Sequence, residues 1–326
     1  MDGVAKMEAA DRAALMRLAA DKKKTMPPEV VEKDFWVCWT LGRLFESPTV
    51  ARKILFKGGT SLSKVFGLIE RFSEDIDLIL DWREVTQEDP QATRSVSRQD
   101  AFNKGLQQRA HVYLRETFLP EVRQLIAGVC QAAIEDNPEI VKIKYPAAFP
   151  SAYLRPEIQL EIGPLASWVP NAEYEIRSYA AEAMPTVFSQ PTCRVRAIKA
   201  ERTFWEKITI LHHEAHRPEI SPQPPGYSRH YYDVCRMART RVKADAFADL
   251  ELLRAVAAFK DKFYHRGWAR YDQAKPGTMR IVPPEHVMKT VAKDYEGMRL
   301  MIFGERPDFR DMVEQIRTLE AEINKL

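Results

Sequence analysis

The stretch KGGTSLSKVFGLIERFSEDIDL, Lys57 to Leu78, constrains the fold more tightly than any other part of the chain. Just before it, Ile54, Leu55 and Phe56 form a short apolar run of strand type. Beyond the paired glycines, Leu62, Val65, Phe66 and Ile69 recur at i, i+3, i+4 and i+7, which predicts a helix from Ser61 to Glu70 packed on a sheet. DIDLIL then alternates, with Asp75, Asp77 and Ile79 on one face and Ile76, Leu78 and Leu80 on the other, as a strand requires. The implied order is strand, glycine turn, helix, strand.

That order brings a phosphate-sized turn and a pair of carboxylates into one local unit. Two aspartates at i and i+2 of a strand share a face about 7 Å apart at the backbone, and their oxygens suit a hard cation such as Mg²⁺. A third acid on a neighbouring strand would complete a two-metal site for phosphoryl displacement. EIQLEIG supplies Glu161 as the best candidate, with Glu157 in reserve two pleats away on the same face. Gly58 and Gly59 let backbone approach a ligand, Thr60 and Ser61 offer hydroxyls, and the helix start presents N–H groups to an anion. Lys57, Gly58, Gly59, Thr60 and Ser61 are therefore the candidate phosphate-binding residues.

The rest of the chain bounds the answer. At 326 residues, 45% apolar and 29% charged, it has the balance of a globular protein large enough for two domains. A net charge of +3 does not by itself argue for nucleic acid. Cys38, Cys130, Cys193 and Cys235 are widely spaced, which speaks against a zinc ribbon or disulfide framework and fits a reducing compartment. No signal-peptide pattern or membrane-length apolar run occurs, so a cytoplasmic protein without membrane contact is expected. Helices are expected over residues 4–21, from Pro28 through VVEKDFWVCWTLGRLFE, and over 100–134, with a loop over 81–98. Strands are expected at Val141 to Lys144 and Glu157 to Gly163, and helices from Arg196 onward, broken by a proline-rich loop from Arg217 to Arg229.

KGGTSLSKVFGLIERFSEDIDL resembles the signature of the AbiEii/AbiGii nucleotidyltransferase toxins, within the DNA polymerase β-like nucleotidyltransferases. Gly58, Gly59, Thr60, Asp75 and Asp77 match that superfamily's glycine turn, helix and acidic-x-acidic strand. EKDFWV (Glu32 to Val37), ERTFWEKITILHHEAHR and SRHYYDV are similar to further blocks of the family, so the resemblance spans residues 30–235 in pieces. It implies transfer of a nucleoside monophosphate from an NTP to an acceptor, with Mg²⁺ or Mn²⁺, by a toxin of a toxin–antitoxin or phage-defence pair. By position it makes Asp75 and Asp77 metal ligands, Lys207 a triphosphate contact and Asp233 an active-site carboxylate. Glu161 stands where an Asp is expected, and Thr60 where the superfamily often has Ser.

Read without the resemblance, Lys207 lies off the Phe204, Ile208 and Leu211 stripe, where it reaches a cleft or pairs at the surface with Glu206 or Glu214. Asp233 reads as an acid near a helix start. Lys64 and Arg71 either neutralise phosphate charge or are surface cations. His212 and His216 lack the HExxH spacing and read as a solvated helix end. Phe259 to Arg280 interleaves aromatics with Lys260, Lys262, Arg266, Arg270, Lys275 and Arg280, which suits a single-stranded or tRNA-like acceptor; the alternative puts Phe259, Phe263 and Trp268 in the core with snorkelling cations.

The expected architecture is α/β (α+β): a polymerase β-like nucleotidyltransferase core with a small mixed sheet over residues 1–190, then a mostly helical domain over 191–326. The expected function is a metal-dependent nucleotidyltransferase toxin acting on an RNA 3′ end such as that of tRNA, with a cognate antitoxin as partner. The rival readings are a kinase-like toxin moving the γ-phosphate and a non-catalytic nucleotide- or RNA-binding module.

Overall fold

The computed structural model describes residues 1–24, 26–149, 154–155 and 157–326. Seven strands, β1 (Ile54–Lys57), β2 (Asp75–Leu80), β3 (Gln131–Ala133), β4 (Ile140–Lys144), β5 (Glu157–Gly163), β6 (Asn171–Arg177) and β7 (Thr192–Ile198), form one mixed sheet in the order β3-β4-β5-β2-β1-β7-β6. β2 runs parallel to β5 and β1 parallel to β7, and the remaining neighbours are antiparallel. The chain divides into two compact units, residues 1–66 with 72–198, and residues 67–71 with 199–326.

In the first unit, one face of the sheet is wholly apolar. Ile54, Phe56, Ile76, Leu78, Leu80, Ile158, Leu160 and Ile162 pack into a core with Phe35, Trp36 and Leu41 of the helix Pro28–Glu46. Because side chains alternate along a strand, the opposite face receives Asp75, Asp77 and Glu161. The second unit is helical, built on Ala200–Ala215, Ser228–Ala238, Leu250–Phe263, Glu285–Gly297 and Phe309–Ile323.

Several boundaries differ from the sequence expectation. The helix after β1 is short, Gly58–Lys64, and does not reach Glu70. Gly67 takes a positive φ of 60°, and the backbone after it bonds elsewhere: the Glu70 carbonyl accepts from Phe303 N at 2.8 Å, and Arg71 forms a bridge with Ile302. The expected helix over 100–134 is Val96–Tyr113, a π-helical turn Leu114–Phe118, and Leu119–Leu125, after which β3 begins. β6 and β7 occupy sequence for which no strand was expected, and the end of β7, Arg196 to Ile198, falls where a helix was expected.

The helix Pro28–Glu46 carries three consecutive charges, Glu32, Lys33 and Asp34, all almost wholly buried. Successive helical residues point about 100° apart, so each reaches a different segment. Glu32 accepts from Ala148 N (2.8 Å) and Phe149 N (3.1 Å). Lys33 donates to Glu74 (2.5 Å) and to the Arg155 carbonyl (2.9 Å). Asp34 accepts from Tyr179 N (2.6 Å) and pairs with Lys64 (2.7 Å), whose ammonium lies 3.7 Å from the Tyr179 ring centroid. Lys64 is therefore no surface cation. Burial alone would lower its pKa, but the Asp34 charge carries it above the ordinary lysine value.

Replacing Asp34 by Asn would leave Lys64 charged, buried and unpaired. We expect Asp34→Asn to lose about 3–5 kcal/mol of unfolding free energy in urea titrations, and the double change Asp34→Asn with Lys64→Met to recover most of it.

Candidate active site

Strand register sets the arrangement of the candidate residues in the first unit. β1 pairs with β2 so that Lys57 lies opposite Asp77, and β2 pairs with β5 so that Asp77 lies opposite Glu161 and Asp75 opposite Gln159. Lys57, Asp77 and Glu161 thus form one row across three strands, with neighbouring backbones about 4.8 Å apart. Glu157, the reserve candidate, lies beyond the last residue that pairs with β2.

Gly58 sits directly against this row. Its φ is +81°, and a Cβ built on it would fall inside the Asp77 carboxylate. Only glycine meets both demands. The two hydroxyls of the turn are directed otherwise than expected. Thr60 Oγ1 donates to the Asp75 carbonyl at 2.5 Å and Ser61 Oγ to the Gly58 carbonyl at 2.8 Å, and both residues are buried. Buried hydroxyls need partners, and these have found backbone ones. Thr60 ties the turn to the start of β2, Ser61 braces the turn's own backbone, and the helix has no side-chain cap.

Asp75 is partly open to solvent and meets Arg155 Nη1 at 3.4 Å, while the same nitrogen donates to Gln159 Oε1 at 2.6 Å. Burial raises the Asp75 pKa above the usual carboxylate range; Arg155 opposes this, and the charges of Asp77 and Glu74 add to it. Among the described residues, no three His, Cys, Asp or Glu side chains gather closely enough to hold a metal ion as a group. Asp75, Asp77 and Glu161 share a face without forming a closed ligand set. Two carboxylates fit Mg²⁺ or Mn²⁺ all the same, since such ions commonly take one or two protein carboxylates and fill their shell with substrate phosphate and water.

The second unit holds Lys207 and Asp233. Lys207 is in the helix Ala200–Ala215, and Asp233 lies mid-helix in Ser228–Ala238, not at its start. Both are buried, and Lys207 Nζ meets Asp233 Oδ2 at 2.8 Å. The surface partners considered for Lys207 are engaged elsewhere, Glu206 by Arg202 at 2.9 Å and Glu214 by Arg217 at 2.7 Å. Arg71, neither exposed nor a loose phosphate contact, grips Asp233 with two parallel bonds: Nε to Oδ1 and Nη2 to Oδ2, each 2.7 Å. Burial would raise the Asp233 pKa, but Arg71 and Lys207 together hold it well below the usual carboxylate range. Burial lowers the Lys207 pKa, with Asp233 opposing and Arg71 adding to the depression. His230 Nδ1 stands 3.5 Å from Lys207 Nζ, and burial beside these cations keeps its ring neutral.

The family described as nucleotidyl transferase AbiEii toxin, type IV TA system, matches residues 39–315. The chain belongs to that family. It is accordingly an AbiEii nucleotidyltransferase toxin of a type IV toxin–antitoxin system. Among solved structures, MenT4, a nucleotidyltransferase toxin from Mycobacterium tuberculosis H37Rv, is similar at 14% identity and a TM-score of 0.48, covering 95% of this chain and 97% of that one. No curated protein matches the sequence. No helix among the described residues of this AbiEii chain is long and apolar enough to cross a membrane.

Arg155 in the first unit, and Arg71 and His230 in the second, are partners of the candidate residues that sequence reasoning missed or left unassigned. Arg71 lies inside the quoted signature, yet its partner is 162 positions away.

Two outcomes follow for this AbiEii chain. Gly58→Ala should lower nucleotidyl transfer at least about tenfold, because backbone and Asp77 must both shift, and transfer assays on the folded variant check this. Asp233 has a depressed pKa, so its stabilising contribution is full above its unfolded value of about 3.9 and fades as the pH falls from there through the folded value. Urea unfolding of the wild type and Asp233→Asn should differ by about 3–5 kcal/mol at neutral pH, with the gap narrowing below about pH 4.

Proposed function

We propose that this toxin transfers a nucleoside monophosphate from an NTP to the 3′-hydroxyl end of an RNA, tRNA-like in character, in the cytoplasm, with Mg²⁺ or Mn²⁺ held by Asp75 and Asp77. The observation that carries this reading is the packing of the Gly58 backbone against the Asp77 carboxylate, which puts the glycine turn within contact of one member of the acidic pair. A triphosphate lying along Lys57, Gly58 and Gly59 would lie next to Asp75 and Asp77. When bound there, the cation would polarise the α-phosphate and lower the pKa of the attacking hydroxyl.

The chain's own residues perform the remaining tasks. Thr60 and Ser61 fix the turn through backbone hydrogen bonds, so that it is preorganised before substrate arrives. In-line attack forms the bond from the acceptor oxygen to the α-phosphorus and breaks the bond to the pyrophosphate, which leaves. Glu161, exposed and in register with Asp77, is the carboxylate assigned to receive the acceptor proton at one of its oxygens. Lys207 is assigned a phosphate contact and Asp233 the role of orienting it. The direct pairing of buried Lys207 Nζ with Asp233 Oδ2 at 2.8 Å supports this division of roles.

The test uses NTP labelled separately at the α- and γ-phosphates, incubated with total RNA. Nucleotidyl transfer puts the α-label on RNA and none of the γ-label; γ-label on any acceptor would refute the reading. Asp75→Asn and Asp77→Asn should each reduce transfer by at least about 10²-fold while melting temperature stays within a few degrees.

A further inference from the structure

Residues 264–282 of the second unit carry little regular structure, only the 3₁₀ turns Gly267–Ala269 and Tyr271–Gln273. Their backbone is nevertheless held by side chains from two helices. His212, in Ala200–Ala215, bonds the Arg270 carbonyl through Nε2 at 2.9 Å and accepts from Arg280 N at Nδ1 at 3.1 Å. That pair of bonds requires the neutral ring protonated on Nε2. Burial agrees, lowering the His212 pKa to about 4. Asn324, which follows the helix Phe309–Ile323, bonds both the N–H and the carbonyl of Met279 at 2.9 Å. Glu320, in that helix, accepts from Ile281 N at 2.5 Å and Val282 N at 3.0 Å. His212 is thus a buried structural clip, where the sequence had suggested a solvated helix end.

The side chains of this strap are sorted by polarity. Ala269, Tyr271, Ala274, Met279 and Ile281 are buried. Trp268 is half-buried and packs at a tilt against His213, 4.4 Å between ring centroids, with the Arg217 guanidinium 4.9 Å from its ring. Arg266, Arg270, Lys275 and Arg280 are all exposed; Arg270 meets exposed Asp272 at 3.4 Å, and the other three form no ion pair among the described residues. Tyr264, at the strap's start, is 49% exposed.

We propose that this strap, pinned by His212, Glu320 and Asn324, is a docking surface for the sugar-phosphate backbone of an RNA strand, contacted by Arg266, Arg270, Lys275 and Arg280. The inference rests on the reading of RNA as acceptor and adds where the strand is gripped. A protein partner would require outward apolar surface at the centre of its interface. Here the apolar residues named above are turned inward, and the outward face is cationic with one aromatic edge, which suits phosphates and a stacked base. Ordered backbone beneath the cations fixes their spacing before the strand arrives, which limits the entropy lost on binding.

The experiment measures filter binding of a single-stranded RNA oligonucleotide to the full chain across roughly 50–200 mM salt. The variant R266Q/R270Q/K275Q/R280Q is compared with K289Q/K293Q/R310Q/R317Q, which removes the same charge from exposed positions on two other helices of the unit. The first should bind at least about tenfold more weakly and lower the slope of log K against log salt by about 2.8, at 0.7 per lost contact. The second should retain the wild-type slope, and both should keep wild-type melting temperature and NTP affinity. Equal losses in the two variants, an unchanged slope in the first, or no RNA binding by the wild type would overturn the proposal. Strap-dependent RNA binding without transfer of the α-label would instead refute the catalytic reading and leave this one standing.

Discussion

The antiparallel pairing of β1 with β2, from Ile54 opposite Leu80 to Lys57 opposite Asp77, is the constraint on which the first unit's chemistry depends. A slip of one residue would turn Ile76, Leu78 and Leu80 to the outer face and drive Asp75 and Asp77 into the core. Exposing three aliphatic side chains costs about 5–9 kcal/mol, and burying two carboxylates costs several more each. The sum rivals the whole stability of a typical domain, so the register is fixed by burial and not by the site. Once it is fixed, Gly58 has nowhere to go except against the Asp77 carboxylate.

Buried charge on the helix Pro28–Glu46 carries the same logic beyond the sheet. Glu32, Lys33 and Asp34 each leave water, a cost that only direct partners offset, and each partner lies in a different segment. Lys33 holds Glu74, the residue before β2, and Asp34 holds Lys64, the last residue of the helix that begins at Gly58. One face of this helix fills the core through Phe35 and Trp36, while its charges position both ends of the segment from Gly58 to Asp75. A block that reads as a family marker in the sequence is, physically, a three-way brace of the first unit.

Legibility in the sequence followed periodicity. β1, β2 and β5 were readable because one face of each is buried and their residues alternate or cluster accordingly. β6 was not, since NAEYEIR lies at the sheet edge with only Ile176 buried, leaving almost no alternation to detect. The helix beyond Lys64 was overpredicted because Val65, Phe66 and Ile69 kept helical spacing, whereas Gly67 at positive φ and the hydrogen bonding of Glu70 with Phe303 decided the backbone. Buried ion pairs were invisible for a different reason. Asp34 with Lys64, and Arg71 with Asp233, join residues far apart in the chain, and a charged side chain read alone is more naturally placed in solvent. The Gly58 turn and the aspartate pair were legible as types and spacing; the inward bonding of Thr60 and Ser61 was not.

The second unit poses an electrostatic question of its own. A buried carboxylate paired with one cation closes its charge, as Asp34 does with Lys64. Asp233 instead meets two cations, Arg71 through both oxygens and Lys207 through one, and His230, held neutral, adds no negative charge. Two cations on one buried carboxylate keep Asp233 ionised, which a single partner would do less firmly. Arg71 forms a rigid two-bond fork with the carboxylate, whereas Lys207 is a point charge on a flexible stem that meets one oxygen.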